Sequence, residues 1–565
     1  MYPVLLSHRY LRSRVIPLIA VAAVGLCVAL VIIVVSVMSG FLEMVKQSGR
    51  KLNGDVIISY SVSGIPWYDR LWEMLEERPE VAAVAPLVDG WGLLRMPYPE
   101  GAEKAMETVQ FWAVDPESFD RVTGYMQTLY WRPPTDGERK EMAGEDFRRQ
   151  IEESRGPEEM AELVERARTL WVNDLDPRTG DLRPQPAALM GIHVSRANVR
   201  QKDGTYRPVR SMSEGYWWMP RFEVVLSTLP PRTSITSPQS ENVRLRVVNE
   251  YRSGLYLIDE TRIIVPLAVG QRLMHLDGSE VIGPDGDVIA IEPPRATQLL
   301  IRAVPGVTPD ALLPIVTDVY DAFRRSLFND PDVHAPLIAP DVGSGVRIQT
   351  WRQQQARFID PVEKERELMR TLFSLIYLVC AGLVLAIFWA IVYEKTRDIG
   401  ILRSIGASRL GICWIFLRYG FFIGVLGALC GLGLGWLVVR NINTIHTAMG
   451  DPPLQLAILA FVATAIAIAV TVVRGRSGRL LPVVLGGTIT LTTFGIGIVI
   501  LVVKHLGGVI VWDPAVYYFS TIPNEVDVVA CVTTMIGAVI FSVLGAFFPA
   551  ARAADVDPVG ALRYE

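Results

Sequence analysis

The residues best equipped for chemistry lie in one short polar segment, Glu394-Lys395-Thr396-Arg397-Asp398-Ile399-Gly400-Ile401-Leu402-Arg403-Ser404-Ile405-Gly406-Ala407-Ser408. Its charges, Glu394, Lys395, Arg397 and Asp398, crowd the start, and Arg403 follows. Ile399, Leu402 and Ile405 fall at helical spacing along one stripe. This is the chemistry of recognition rather than of bond making. Gly406 can stop such a helix and Ser408 can cap the next one. A one- or two-turn amphipathic helix of this kind can lie at a lipid surface or dock into a partner's groove. Periodicity alone leaves both open.

Signatures of catalysis are missing elsewhere. There is no Walker A loop, no His-Glu-x-x-His pair and no Gly-x-Ser-x-Gly elbow. The six histidines, His8, His193, His275, His334, His446 and His505, are scattered without metal-ligand spacing. Gly431-Leu432-Gly433-Leu434-Gly435 imitates a dinucleotide loop but sits inside an apolar run with no strand before it. Gly420 and Gly424, then Gly427, Gly431 and Gly435, recur every four residues, which predicts close helix packing in lipid. Cys27, Cys380, Cys413, Cys430 and Cys531 all fall in apolar runs, so the polar region can hold neither a disulfide framework nor a cysteine zinc site. A net charge of −4 gives no footprint for nucleic acid.

The elements that must position the segment follow from the distribution of charge. The 565 residues are 50% hydrophobic, yet 20% are charged. Runs 15–38, 371–393, 411–439, 454–473, 480–503 and 528–551 contain 144 residues and one charge, Arg418. The other 421 residues carry 113 charges, about the density of a soluble domain. Each run is long enough to cross a bilayer as a helix, which takes about 20 residues. Arg418 sits near one end of its span, where snorkelling to the interface is the economical reading. Lys and Arg accumulate in 394–410 and 474–479 and are sparse in 440–453 and 504–527. The positive-inside rule therefore places both termini in the cytoplasm and 39–370 outside. The first run, at 24 residues, exceeds a secretory h-region of roughly 7–15 and reads as an uncleaved signal anchor.

These runs divide the chain. A cytoplasmic tail (1–14) leads into a first span with a periplasmic extension (15–52) and a periplasmic domain (53–362). A second span (363–393), the polar segment (394–410) and a third span (411–439) follow. An additional apolar hairpin (454–503), an outer loop (504–527), a final span (528–551) and a cytoplasmic tail (552–565) complete the chain. The expected fold is a polytopic α-helical membrane protein of about six spans, four core plus the hairpin, with a large α+β extracytoplasmic domain between the first two. In that domain, 55–59, 223–227, 243–248, 263–266 and 288–291 read as strands, the last entered by a Pro284-Asp285-Gly286-Asp287 turn. Residues 308–327 read as an amphipathic helix. The densely charged 136–169, with Arg148, Glu152 and Arg155 at helical spacing, reads as a solvated helical insertion.

Residues 394–408 resemble the coupling helix of type VII ABC transporter permeases, the group of the macrolide exporter, the cell-division FtsX protein and the lipoprotein-releasing permeases. The C-terminal Phe548-Pro549-Ala550-Ala551-Arg552-Ala553-Ala554 and Asp557-Pro558-Val559-Gly560-Ala561-Leu562-Arg563-Tyr564-Glu565 are similar to that group's signature. Three further stretches resemble the lipoprotein-releasing (LolC/LolE-type) branch: Val37-Met38-Ser39-Gly40-Phe41, Ser253-Gly254-Leu255-Tyr256-Leu257-Ile258-Asp259, and Asp513-Pro514-Ala515-Val516-Tyr517-Tyr518-Phe519-Ser520-Thr521-Ile522-Pro523. Two regions depart from the pattern. Family members have four spans, so 454–503 is an extra pair, and a charged stretch at about 120–190 enlarges the periplasmic domain.

The resemblance implies mechanotransmission in the inner membrane. A cytoplasmic ABC ATPase dimer would hold ATP and Mg, this chain binding no cofactor itself. Ile399, Leu402 and Ile405 would anchor that ATPase, with Glu394, Arg397 and Arg403 at the rim. A second permease copy or a paralogue would complete the pair, and a periplasmic lipoprotein carrier or adaptor would receive cargo. Acylated cargo would enter beside Met38, Phe41, Phe373 and Ile376. Within the same group, an efflux permease like the macrolide exporter and an FtsX-like regulator of a cell-wall hydrolase are alternatives. An ATPase-independent receptor is the reading outside it.

Overall fold

The computed structural model describes residues 15–99, 105–133, 155–175, 182–200, 206–208, 211–212, 215–229, 240–254, 256–282, 288–331, 333, 338–450, 454–475, 480–505 and 522–557. The chain divides into a helical unit (1–43, 361–513 and 521–565) and a sheet-bearing unit (44–360 and 514–520). The first helix is α1 (Val15–Lys51).

Among the described residues, ten strands form the main sheet: β1 (Val56–Ser59), β2 (Val81–Arg95), β3 (Met106–Val114), β4 (Trp171–Leu175), β5 (Leu182–Gly191), β6 (Glu223–Thr228), β7 (Glu241–Tyr251), β8 (Arg262–Pro266), β9 (Gln298–Ala303) and β10 (Arg347–Thr350). The 15-residue β2 is the hinge of the topology. Its first half pairs with β9 (Val84 opposite Ile301), and β9 continues the sheet to β1 and β10. Its second half pairs with β3 on one side and β6 on the other, with Leu94 opposite both Glu107 and Leu226. The ladder β2-β3-β8-β5-β7-β6 thereby returns to β2 and closes a six-stranded ring. Alternating residues fill its inside: Val109, Phe111, Met190, Val224, Leu226, Leu245, Val247, Ile263 and Val265. Gly90 lies opposite Phe111, whose ring takes the space that a side chain at 90 would need.

The open side of the sheet is covered on both faces, so the strand Val56-Ile57-Ile58 is apolar at successive positions. Val56 and Ile58 face a core with α2 (Tyr68–Glu76), through Leu71 and Leu75. On the opposite face, Ile57 and Leu300 meet α3 (Pro116–Thr123) and α4 (Pro157–Thr169) through Phe119, Val122 and Ala167. The solvated reading of the charged insertion is corrected here for α4. Met160, Leu163 and Ala167 are buried, and only its other face carries ion pairs such as Arg166–Glu162. Arg148, Glu152 and the rest of 134–154 lie outside the described residues. Helix α5 (Pro309–Phe328) starts where Thr308 accepts from Ala311 N, and joins the first core through Leu312, Val316, Val319 and Phe323. The strand expected at 288–291 is present as Val288–Glu292 and pairs with Ser279–Ile282, and its 283–287 turn lies outside the described residues.

The helical unit contains α6 (Ala356–Glu394), α7 (Thr396–Ser404), α8 (Arg409–Arg440), α9 (Ile442–Gly450), α10 (Leu454–Gly475), α11 (Leu480–His505) and α12 (Val528–Ala554). Among the described residues, six helices are long and apolar enough to cross a membrane: α1, α6, α8, α10, α11 and α12. Four of them share one core that includes Val24 and Val28 of α1, Val384 and Phe388 of α6, Tyr419 and Ile423 of α8, and Ala538 and Ala546 of α12. Contact order fixes their relative directions. Gly427 meets Val24, Gly431 meets Val28 and Gly435 meets Ile32, so α8 runs parallel to α1. Gly420 meets Ala546 and Gly424 meets Ser542, so α12 runs antiparallel to α8. Tyr377 stacks on Phe541 at 5.8 Å, and Gly545 lies against Ala381, which makes α6 parallel to α12. Helices α10 and α11 form an antiparallel hairpin through the Thr464–Thr493 hydroxyl bond (2.9 Å), Phe461 against Phe494, and Gly486 against Thr471. Two antiparallel helices added between α8 and α12 leave the direction of α12 unchanged.

Candidate functional site

The polar segment is built as the sequence suggests. Lys395 ends the turn out of α6, and Nζ reaches Asp398 Oδ2 at 2.6 Å. Gly406, at φ +102°, turns the chain after α7, and Ser408 Oγ then accepts from Gly411 N to start α8.

Its apolar stripe is divided between two surroundings. Ile399 is 3% exposed and packs with Val392, Ile412 and Ala553 in a small core of the chain itself, beside buried Gly400. Leu402 is half-buried. Ile405 is 80% exposed, and Ile401, Leu410 and Trp414 are exposed with it. The surface offered outward is therefore Ile401–Ile405–Leu410, and Ile399 as an outward anchor is corrected. An i, i+3 stripe on so short a helix does not say which end of the stripe the neighbouring helices cover. Arg403 also turns inward: its guanidinium donates to the carbonyls of Ala554 (3.1 Å) and Val556 (2.6 Å). Glu394 and Arg397 are both exposed.

The glycines of α8 occupy two faces, as the contacts above describe, and Ser542 Oγ donates to Gly420 O at 2.9 Å across one of them. Gly433, between them in sequence, has open space around it. Arg418 lays its guanidinium over Trp414, 5.3 Å from the ring centre. Of the residues expected to admit cargo, Phe373 packs with Val31, Val35 and Ala530, so it joins α6, α1 and α12. Met38, Phe41 and Ile376 are half-buried.

Sequence reasoning missed two buried acids of the sheet-bearing unit. Asp55, wholly buried, pairs with Arg50 (2.8 Å) and Arg302 (3.5 Å) and accepts from Ala303 N (3.0 Å). It ties the last turn of α1 to β9. An acid opening an otherwise apolar strand was its signal. Glu250, also wholly buried, accepts from Trp131 Nε1 (2.7 Å), Asn198 Nδ2 (3.2 Å) and Ser195 Oγ (3.4 Å). Burial outweighs these donors and raises its pKa from 4.5 to about 8. Arg262, half-buried over the Trp112 ring at 4.2 Å, is shifted downward by desolvation. Among the described residues, no group of three or more His, Cys, Asp or Glu could hold a metal ion.

A bundle of long apolar helices interrupted by a short polar helix, with a large α+β insertion after its first helix, is the element order expected from the sequence. Family comparison agrees: residues 370–475 match the FtsX-like permease C-terminal family, and residues 18–152 match the MacB-like periplasmic core domain. The first of these matches contains α7. Individual relatives are lipoprotein-releasing system transmembrane proteins LolC. That of Neisseria meningitidis serogroup B is 32% identical over 22% of this chain and 30% of its own length. That of Haemophilus influenzae is 30% identical over 22% and 31%. One from Xylella fastidiosa is 23% identical over 43% and 46%. The chain thus spans between 30% and 46% of the length of these three relatives. The two matched regions together cover less than half of this chain, and over those residues it is similar to membrane permeases.

Proposed function

We propose that this chain is the permease subunit of an ABC transporter that extracts lipoproteins from the inner membrane for delivery to the outer membrane. The observation that carries the reading is α7: a short polar helix between two long apolar ones, presenting Ile401 and Ile405 outward from within the matched permease region. A separate ATPase dimer, holding ATP and Mg, docks there. Both termini and α7 then lie in the cytoplasm, and the sheet-bearing unit in the periplasm. A second permease copy or a paralogue completes the transporter, and a periplasmic carrier or adaptor takes the cargo. Met38, Phe41, Phe373 and Ile376 border the route by which an acyl chain enters from the bilayer. The names of the LolC relatives support lipoprotein as the cargo. The MacB-like match supports an efflux permease as the second reading.

Co-purification tests the coupling. Ile405→Asp should abolish association with the ATPase while leaving the fold intact, because Ile405 touches little of its own chain. Undiminished association overturns the assignment. Depletion of the chain should leave mature lipoproteins in the inner membrane. Normal lipoprotein sorting with altered drug tolerance would move the reading to efflux.

A further inference from the structure

The side of α7 turned away from the exposed isoleucines is fastened to the end of the last helix. Arg403 donates to the carbonyls of Ala554 and Val556, in the final turn and just beyond α12. Those carbonyls lack intrahelical partners, and a cation there complements the helix dipole. Ile399 packs on Ala553 beside it. Twenty-seven residues away along α12, the opposite end is capped and the segment before it is tied to a neighbouring helix. Asp527 accepts from Val529 N and Ala530 N. Just before it, Ile522 exchanges two hydrogen bonds with the Asn443 amide of α9 (2.7 and 3.1 Å). Pro523 lies so close to Gly40 of α1 that a Cβ at 40 would come within 2.9 Å of it.

We propose that α12 is the strut by which α7 acts on the far side of the bundle, with Arg403 as the positioning residue at its near end and Asn443 as the clasp at its far end. This rests on the permease reading, since it takes α7 as the point where nucleotide-driven motion enters. A continuous helix of 27 residues is about 40 Å long at 1.5 Å per residue. It transmits an axial displacement to Ile522 and Pro523, and so to α9 and to Gly40 on α1. The route differs from one through α6 or α8, which join α7 by chain connection and meet it through Val392 and Ile412. It predicts that a side chain with no place on the outward face of α7 controls the response at the other membrane surface.

The test is amide hydrogen exchange on the complex with its ATPase in nanodiscs, with and without a non-hydrolysable ATP analogue and Mg. In the wild type, 396–404, 442–450 and 522–530 should all change protection on nucleotide binding. Arg403→Gln should keep ATPase co-purification and the response at 396–404 and lose that at 522–530, and Arg403→Lys should restore part of it. A merely structural role for Arg403 would alter exchange with and without nucleotide alike. If Arg403→Gln does not fold, Asn443→Ala cuts the strut at its other end: 545–554 keeps its response and 442–450 loses it. Persistence of the 442–450 response in Asn443→Ala, or of the 522–530 response in Arg403→Gln, overturns the strut. So does a wild-type complex whose 522–530 ignores nucleotide. A wild-type chain that binds no ATPase overturns the permease reading itself.

Discussion

Replacing Glu250 by glutamine should stabilise the sheet-bearing unit, and increasingly so as the pH rises. Glu250 sits at the end of β7 and, with Asn249, holds the segment Tyr130–Trp131. The Asn249 side chain accepts from Trp131 N (3.1 Å) and donates to Trp131 O (2.9 Å), while Glu250 takes the indole N–H. The folded pKa of about 8 lies above the unfolded value of 4.5, so between these pH values the native state binds more protons than the unfolded one. Stability from this group is therefore complete below about pH 4.5 and is lost as the pH rises towards 8. At about 1.4 kcal/mol for each pH unit, the loss reaches about 4 to 5 kcal/mol by pH 8 and then levels off. Glutamine cannot ionise, and its oxygen can take the place of Oε2 and accept from Trp131 and Asn198. Its amide can then donate to Ser195 Oγ. Urea unfolding of the full chain in detergent, followed by tryptophan fluorescence from pH 5 to 9, measures the effect. The difference between Glu250→Gln and wild type isolates this group from the other carboxylates. It should grow by about 1.4 kcal/mol per pH unit up to pH 8. A flat difference would refute the buried neutral acid, and a difference of opposite slope would show a carboxylate stabilised in its ionised form. Glu250→Leu should lose about 1 to 3 kcal/mol even at low pH, because the indole N–H and the Asn198 amide lose their acceptor.

Asp55→Ala should cost about 3 to 5 kcal/mol in the same assay, since Arg302 is left without its carboxylate and Ala303 N without an acceptor. Limited proteolysis should then cut near 50–55, where the last turn of α1 is released. Gly431→Ala should lower the thermal midpoint of the chain in detergent, because the added Cβ meets Gly25 O at 2.5 Å, an overpacking worth about 1 to 3 kcal/mol. Gly433→Ala, two residues along and facing open space, should leave the midpoint unchanged. Equal effects at the two positions would refute the packing seam.

The spans were legible because lipid demands unbroken apolar length, and the four-residue glycine period of α8 announced close packing before its partners were known. The amphipathic 308–327 and the strand runs were legible by their periods. The closure of the sheet into a ring was not, because β2 changes partners midway and nothing local in 81–95 marks the change. Arg403 reads as a rim charge in the sequence because its partners are the backbone carbonyls of Ala554 and Val556, 151 and 153 residues distant. Backbone acceptors leave no trace in residue type. Glu250 was invisible for a related reason: its burial comes from Trp131, Ser195 and Asn198, each remote in sequence.

The contact between α1 and α8 has a property that its tightness conceals. Val24, Val28 and Ile32 recur every four residues, and so do Gly427, Gly431 and Gly435. Sliding one helix past the other by one repeat, about 6 Å, brings Val28 to Gly427 and Ile32 to Gly431, another branched knob over another glycine hole. Two rows of teeth with the same pitch fix the spacing of their racks and say little about which tooth meets which. The choice of notch therefore falls to contacts at the ends of the bundle, such as Pro523 on Gly40 and Ile522 on Asn443.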